Sequence, residues 1–291
     1  MISALSQKEI QVLAQDGFEL GAKTFLPEDS KEVVFLISSA TGVKQNYYEH
    51  FAQWLAEKGY QTFTFDYRGI GKSKPGSLKG FEAYMQDWGK LDLEGMIRHI
   101  KQEFPNKKLL VIGHSVGGQL FGLTPACQMA DGFVGVGSQM GYWKLWPVSH
   151  WPKLLFFWKC LIPVMNPIFG FFPAKKLGLF EDLPKGVAAQ WQQWGTSPDY
   201  LFKYLPEEKE NYEKIRKPFL AVSFSDDEFA PKKAVDRLVG FYANADMKHI
   251  HLTPDSVGVK RLGHFAFFRK KYENRLWPMV LEWATEKGFL Y

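Results

Sequence analysis

Residues 113–117 read Gly-His-Ser-Val-Gly and follow a short apolar, β-branched run at 108–112. A serine on a sharp turn between a strand and a helix exposes its hydroxyl, and such a turn has no room for bulky side chains two residues before or after it. A hydroxyl held in this way can attack a substrate and form a covalent intermediate. Ser115 is therefore the candidate nucleophile.

A serine hydroxyl needs a histidine base and a carboxylate that orients this histidine. Asp227 follows a predicted strand that ends at Phe224, and His264 lies in a loop after a predicted strand at 247–252. The chain order serine, aspartate, histidine is that of α/β-hydrolases and differs from the orders in chymotrypsin and subtilisin. This order favours Ser115, Asp227 and His264 as a catalytic triad.

Two further motifs carry a family resemblance. Residues 66–73 read Asp-Tyr-Arg-Gly-Ile-Gly-Lys-Ser and resemble the D-x-R-G-x-G-x-S segment after the fourth strand of α/β-hydrolases; Asp227 and Pro231 fit the D-x-x-x-P pattern that begins with the catalytic acid in these proteins. Nearly the whole chain resembles this superfamily, and more narrowly its bacterial group of predicted α/β-hydrolases, related to the serine aminopeptidase and monoacylglycerol lipase-like branch. The pattern selects Asp227 over Asp226, which is interpreted as a turn residue that binds backbone N–H groups.

The loop after the third predicted strand reads Ser-Ser-Ala-Thr-Gly-Val at 38–43, where many relatives have His-Gly. Acyl chemistry at a serine needs two backbone N–H groups directed at the developing oxyanion. We expect one from Val116, directly after the nucleophile, and the other from Ala40 or Thr41. The alternative is that 38–42 is only a turn before the next helix.

The alternation of apolar and turn-forming segments predicts an α/β fold. Strands are predicted near 10–15, 18–26, 33–38, 61–66, 108–113, 131–137, 217–224 and 247–252, and helices near 46–59, 87–103, 115–130, 231–242 and 272–287. With the resemblance, this implies an α/β-hydrolase fold with a mostly parallel eight-stranded sheet flanked by helices. The loops that carry the three candidate residues should converge beyond the carboxyl ends of the strands.

Residues 141–206 interrupt this alternation and are predicted to form an aromatic-rich cap (lid), with 1–140 and 207–291 as the core. Trp143, Trp146 and Trp158 are the candidates for a substrate-binding wall. The same composition also fits a cap packed without a pocket, a weak contact with a membrane surface, or a partner surface. The longest uncharged run, 160–174, has three prolines and is shorter than the ~20 residues that a spanning helix needs.

Composition limits the domain organisation, binding partners and cellular location that the sequence predicts. The 291 residues are 46% hydrophobic and 23% charged, which is ordinary for one large α/β domain with an insertion. A net charge of +5 with no long basic block gives no support for nucleic-acid binding. Two cysteines provide no disulfide framework, and the first ten residues show no export signal, so a cytoplasmic location is expected.

These residues predict a serine hydrolase that cleaves a carboxylic ester of an apolar acyl group through an acyl-enzyme, as esterases and lipases do. No metal or organic cofactor is required. An acyltransferase, a thioesterase or an amidase would use the same three residues, so these activities stay open as alternatives. A non-catalytic binding protein is a third class, although such a protein has no physical reason to retain all three residues. The oligomeric state is not predicted.

Overall fold

The structure is a computed structural model that describes residues 6–290. Residues 1–5 and 291 lie outside the described range. The expectation of no export signal, which rests on residues 1–10, therefore falls partly outside it.

The strands follow the predicted alternation. They are β1 Ser6–Leu13, β2 Glu19–Leu26, β3 Val33–Ser38, β4 Gln61–Phe65, β5 Lys108–His114, β6 Gly132–Val136, β7 Phe171–Phe172, β8 Leu183–Pro184, β9 Pro218–Phe224 and β10 Asp246–Leu252. Within the described range, eight of them form one sheet in the order β1-β2-β4-β3-β5-β6-β9-β10. From β4 to β10 the neighbours are parallel, and β1 and β2 add an antiparallel edge. The mostly parallel eight-stranded sheet is confirmed.

The helices lie between these strands. They are α1 Glu49–Glu57, α2 Met85–Asp87, α3 Glu94–Glu103, α4 Val116–Gln119, α5 Trp151–Phe156, α6 Ile162–Phe169, α7 Lys185–Gly195, α8 Lys209–Glu213, α9 Lys232–Val239, α10 Glu273–Leu276 and α11 Pro278–Glu286. Two π-helical segments, 88–93 and 157–161, join α2 to α3 and α5 to α6. The helix predicted at 87–103 therefore contains a π segment, and the observed helical stretch begins at Met85, two residues before the predicted start.

The predicted helix at 115–130 is wrong beyond its first turn. Helix α4 ends at Gln119, and two 3-10 segments follow it. Glycines at 117, 118 and 122 weaken the helix, and a Cβ at Gly122 would lie 2.3 Å from the ring of Tyr212. The Tyr212 hydroxyl donates to the Gln119 carbonyl at 2.7 Å, so a side chain from α8 binds a carbonyl left unpaired at the helix end.

Two apolar cores cover the two faces of the sheet. Successive residues of β3 alternate between them: Val34 and Leu36 belong to one cluster, and Val33, Phe35 and Ile37 belong to the other. This alternation follows from the two-residue period of a strand. Both faces of the central strands are buried, which explains why β3 and β5 read as continuous apolar runs.

The segment between β6 and β9 contains α5 to α8 and the short β7–β8 pair. The predicted boundaries of the cap, 141–206, fall inside this segment. Trp158 and Trp194 are buried in it, at 4% and 0% exposure. Among residues 6–290, no helix is long and apolar enough to cross a membrane.

Candidate active site

Ser115 lies on a strained turn at the carboxyl end of β5. Its φ of +52° is in the left-handed region, which among the described non-glycine residues is shared only with Tyr200. A Cβ at Gly113 would lie 2.3 Å from the Gly118 nitrogen, and one at Gly117 would lie 2.4 Å from the Ser38 carbonyl oxygen. Both collisions would be with backbone, so the steric reason for the two motif glycines is confirmed.

The structure brings Asp227 and His264 together. His264 Nδ1 donates to Asp227 Oδ2 at 2.8 Å, and Asp227 Oδ1 accepts from the backbone N–H groups of Phe229 and Ala230 at 2.8 and 2.9 Å. Because the carboxylate only accepts, Nδ1 carries a proton, so in the neutral imidazole the lone pair is on Nε2. His264 is 7% exposed and Asp227 is 4% exposed, so the pair is largely shielded from water.

The adjacent Asp226 has a different role. Its two carboxylate oxygens accept from the backbone N–H groups of Leu262 and Gly263, at 2.8 and 3.0 Å. These are the two residues directly before His264. Asp226 therefore fixes the loop that carries the histidine, whereas Asp227 contacts the imidazole itself.

Backbone contacts place the serine turn beside this pair. The Ser115 N–H donates to the Val136 carbonyl at 2.9 Å. The next residue, Gly137, has a φ of +57°, and a Cβ there would lie 3.1 Å from His264 Nδ1 and 3.4 Å from Asp227 Oδ2. Gly137 thus lets the imidazole and the carboxylate pack directly on the backbone that holds Ser115.

His114, directly before the serine, is fully buried and connects two loops of the site. Its Nε2 lies 3.0 Å from the His264 carbonyl oxygen, and its Nδ1 lies 2.9 Å from the Tyr48 hydroxyl. Since a carbonyl only accepts, Nε2 carries the proton and Nδ1 accepts from Tyr48. Burial lowers the pKa of His114 well below its ordinary value, and the nearby His264 lowers it further, so this imidazole is neutral.

The same hydrogen-bond chain decides between the two loop residues expected to complete an oxyanion hole. The Ala40 N–H donates to the Tyr48 hydroxyl at 2.8 Å and is not available to a substrate. The Thr41 and Val116 N–H groups have no hydrogen-bond partner among residues 6–290. The expectation for Ala40 is corrected for this reason, and Thr41 and Val116 are left as the candidate donors.

The motif at 66–73 supports the loop that contains Thr41. Asp66 is buried and accepts from the Gln45 backbone N–H at 2.8 Å, from the Gln45 side-chain amide at 2.9 Å and from the Lys72 N–H at 2.9 Å. Burial raises the pKa of Asp66, and these donors oppose that rise. Gln45 begins the helical turn that leads into α1, so the motif fixes the far end of the loop.

A cleft of about 530 Å³ opens beside Thr41. Its apolar wall is formed by Leu179 and Phe180 from the cap together with Phe229 and Phe265. The rings of Phe229 and Phe265 lie 5.4 and 5.2 Å from the His264 ring. Sequence reasoning missed these two residues, although Phe265 directly follows His264 and Phe229 lies within the D-x-x-x-P segment that begins at Asp227.

The cap is attached at this cleft to the loop at 38–43, the candidate oxyanion loop. The Glu181 N–H donates to the Gly42 carbonyl at 2.9 Å. The Glu181 carboxylate pairs with Lys175 at 2.6 Å and with Lys44 at 3.5 Å. Gly42 has a φ of +65°, and a Cβ there would lie 2.6 Å from the Phe180 ring. Glycine is therefore required where the cap contacts the loop.

The three tryptophans expected to form a substrate wall do not line this cleft. Trp158 is in the cap interior, with its ring 5.0 Å from that of Trp191. Trp146 donates from Nε1 to the Glu228 carbonyl at 2.8 Å, and the ring of Trp143 packs on Trp151 at 4.9 Å. The expectation is corrected for Trp143 and Trp158, whose rings pack the cap. Trp146 joins the cap to the loop that carries Asp227 and lines a separate cleft of about 580 Å³ beside that residue, so its substrate-binding role stays a prediction.

Comparison with solved structures identifies the class of fold. A carboxyl esterase from Bacillus coagulans is similar over 97% of this chain and 98% of its own, with a TM-score of 0.66 and 12% identity. Est1E from Butyrivibrio proteoclasticus is similar over 95% of this chain and 98% of its own, with a TM-score of 0.63 and 17% identity. An esterase from Pyrococcus furiosus is similar over 97% of this chain and 93% of its own, with a TM-score of 0.62 and 14% identity. The protein has the α/β-hydrolase fold.

Comparison with family profiles gives a narrower assignment than the fold class. The sequence profile of the family described as serine aminopeptidase, S33, matches residues 29–175, which is half of the chain. The chain belongs to this family, and the expected membership of the α/β-hydrolase superfamily is confirmed. The match includes the oxyanion loop, Ser115 and the first part of the cap, but it ends before Asp227 and His264.

Proposed function

We propose that the protein hydrolyses carboxylic esters of apolar acyl groups through an acyl-enzyme on Ser115. The observation that carries this proposal is the buried pair of Asp227 and His264, 2.8 Å apart, on the backbone that holds the strained serine turn. A neutral imidazole fixed by a carboxylate is the base that a serine hydroxyl needs. The fold, which is shared with solved esterases, is consistent with this chemistry.

The reaction has two halves. His264 Nε2 takes the hydroxyl proton while Ser115 Oγ bonds to the ester carbonyl carbon, and the Thr41 and Val116 N–H groups stabilise the resulting oxyanion. The bond to the alkoxy oxygen then breaks, and His264 returns the proton to the leaving alcohol. Water attacks the acyl-serine by the same route, releasing the acid and restoring the hydroxyl. Asp227 stabilises the imidazolium in both halves.

The cleft favours an ester over a substrate with a free amino group. A substrate ammonium would need an unpaired carboxylate nearby. The carboxylate among the residues that line this cleft is Glu181, and it is paired with Lys175 and Lys44. The apolar wall of Leu179, Phe180, Phe229 and Phe265 instead suits an acyl chain.

The experiment is hydrolysis of p-nitrophenyl esters, from acetate to palmitate, by the wild type, by Ser115→Ala and by the control Ser225→Ala. Ser225 is exposed at the same end of the sheet and is outside the proposed site. We expect activity to be lost only in Ser115→Ala, and a fluorophosphonate to add to Ser115 as seen by mass spectrometry. Equal rates in all three proteins would contradict the proposal. Ester products that saturate with an added alcohol would replace it with acyl transfer.

A further inference from the structure

A single face of the cap is apolar and exposed. Helix α5, the π segment at 157–161 and α6 form one continuous helical stretch from 151 to 169. Its buried positions, Trp158, Ile162 and Asn166, recur every four residues. Phe156, Val164 and Ile168 are 59%, 54% and 69% exposed. The exposed apolar positions of the stretch are Pro152, Phe156, Cys160, Pro163, Val164, Pro167 and Ile168.

The spacing of these exposed positions puts them on one side. They recur three or four residues apart, which is the period of one helix face. A surface helix normally has its polar side chains on the solvent side, whereas here the solvent side is mostly apolar and its charged residues are Lys153 and Lys159. An exposed apolar face of this length is a contact surface for something outside the chain.

The charged side chains within the segment that contains this face, residues 141–180, have one sign. Residues 141–180 contain five lysines and no aspartate or glutamate, so all 31 acidic residues of the chain lie in the other 251. Lys153 and Lys159 are on the exposed side of the helical stretch. Lys176 lies 4.9 Å from the Phe169 ring at the end of α6. Cations that border exposed apolar side chains are what an anionic phospholipid surface attracts.

We propose that this face, residues 152–168, docks on the surface of an anionic phospholipid membrane. Phe156, Val164 and Ile168 enter the boundary between headgroups and acyl chains, and Lys153 and Lys159 extend to the lipid phosphates. A second copy of the chain fits this face less well. In a two-fold contact the same face of each copy meets the other, so the lysines of the two copies would approach each other, and residues 141–180 contain no acidic side chain to pair with them. Leu179, which lines the cleft beside Thr41, is 51% exposed and belongs to the same acid-free stretch.

Vesicle flotation tests this docking without relying on the proposed hydrolysis. The full chain carrying Ser115→Ala, which leaves the lipid intact, is mixed with vesicles of phosphatidylcholine alone or with 30 mol% phosphatidylglycerol. We expect at least ten-fold tighter binding to the anionic vesicles, weakened by salt. Phe156→Ser with Ile168→Ser should lower this affinity at least ten-fold, and Lys153→Gln with Lys159→Gln should remove the preference for anionic lipid.

Leu13→Ser is the matched control, since Leu13 is an equally exposed apolar residue, at 61%, on β1. It should bind like its parent, and circular dichroism should show that every variant is folded. Absence of binding, or the same loss in the control, would overturn the proposal. So would a concentration-dependent dimer without lipid that disappears in the Phe156→Ser and Ile168→Ser variant, because the face would then be an interface between copies. Hydrolysis by the wild type is measured separately on soluble esters.

Discussion

Tyr48 donates its hydroxyl proton to His114 Nδ1 across 2.9 Å while the same oxygen accepts from the Ala40 N–H at 2.8 Å. This one side chain joins the oxyanion loop to the residue before the candidate nucleophile. His114 continues the connection to the His264 carbonyl. Three segments that are distant in the sequence are thus held in register by one buried chain of hydrogen bonds, and such a network is sensitive to the loss of any member.

Tyr48→Phe should lower both activity and stability. The change leaves the Ala40 N–H and His114 Nδ1 buried without partners, at about 1–3 kcal/mol for each group. Loss of these bonds also detaches the loop that contains Thr41 from the residue before Ser115 and so weakens the alignment of the oxyanion donor, and we therefore expect kcat to fall more than KM rises. Steady-state kinetics on a soluble p-nitrophenyl ester and urea unfolding measure the two effects.

The control is Tyr60→Phe, because Tyr60 is also buried but its hydroxyl has no hydrogen-bond partner among the described residues. It should change kcat less than two-fold. If both variants behave alike, the hydrogen-bond chain has no role in the site.

His114 should make the free energy of unfolding depend on pH. Its pKa is lowered by burial in the folded protein and is about 6.5 in the unfolded chain, so below about pH 6.5 the unfolded state binds the extra proton. Stability from this group is therefore complete above pH 6.5 and falls as the pH is lowered, by up to about 1.4 kcal/mol per pH unit. His249 and His251, whose pKa values burial also lowers, act in the same direction.

His114→Gln isolates this contribution, since glutamine does not titrate and can still donate to the His264 carbonyl. Urea unfolding between pH 5.0 and 7.5 gives the free energy of unfolding at each pH. Its slope against pH should be smaller in the variant than in the wild type by the equivalent of about one proton. An unchanged slope would show that His114 does not remain neutral in the folded state.

Asp227→Asn and Asp226→Asn should separate two roles of adjacent carboxylates. Replacement of Asp227 favours the wrong imidazole tautomer and should lower kcat by about 10⁴-fold at neutral pH. Replacement of Asp226 removes one acceptor from the Leu262–Gly263 backbone, so we expect a lower Tm and a fall in kcat of about ten-fold or less. Comparable losses of kcat in the two variants would contradict the assignment of Asp227 as the acid.

Thr41→Pro should remove a backbone donor from the oxyanion hole. Loss of one such donor costs about 10² to 10³ in kcat. Thr41→Ala keeps the N–H and should retain most of the activity, which separates the backbone group from the side chain. Thermal unfolding of both variants shows whether the loop still folds, and near-normal kcat in a folded Thr41→Pro protein would exclude this donor.

The parts of the site that could be predicted from the sequence are those fixed by local backbone geometry. The turn at Ser115 needs glycines at 113 and 117 because backbone lies next to both, and this requirement is visible as a motif. The central strands are apolar on both faces because both faces are buried. The position of Asp227 before Pro231 selected the carboxylate that the structure places against His264.

The parts that could not be predicted depend on contacts between distant segments. Tyr48 is 66 residues from His114 in the chain, so no short-range sequence pattern indicates their hydrogen bond. The helix predicted at 115–130 ends early because Tyr212, from α8, occupies the space beside Gly122. Trp158 was expected in a substrate wall on composition alone, but composition does not tell which ring faces a cleft and which faces the cap interior.

The position of the cap within the chain has a consequence for synthesis on the ribosome. The partner strand β9 begins 82 residues after β6 ends, and it pairs directly with β6 in the finished sheet. At a synthesis rate of about 5–20 residues per second, β9 is made about 4 to 16 seconds after β6, and the outer edge of β6 is unpaired until then. During that interval an apolar strand edge is open to other nascent chains, so this protein should depend on chaperones most while its cap is being translated.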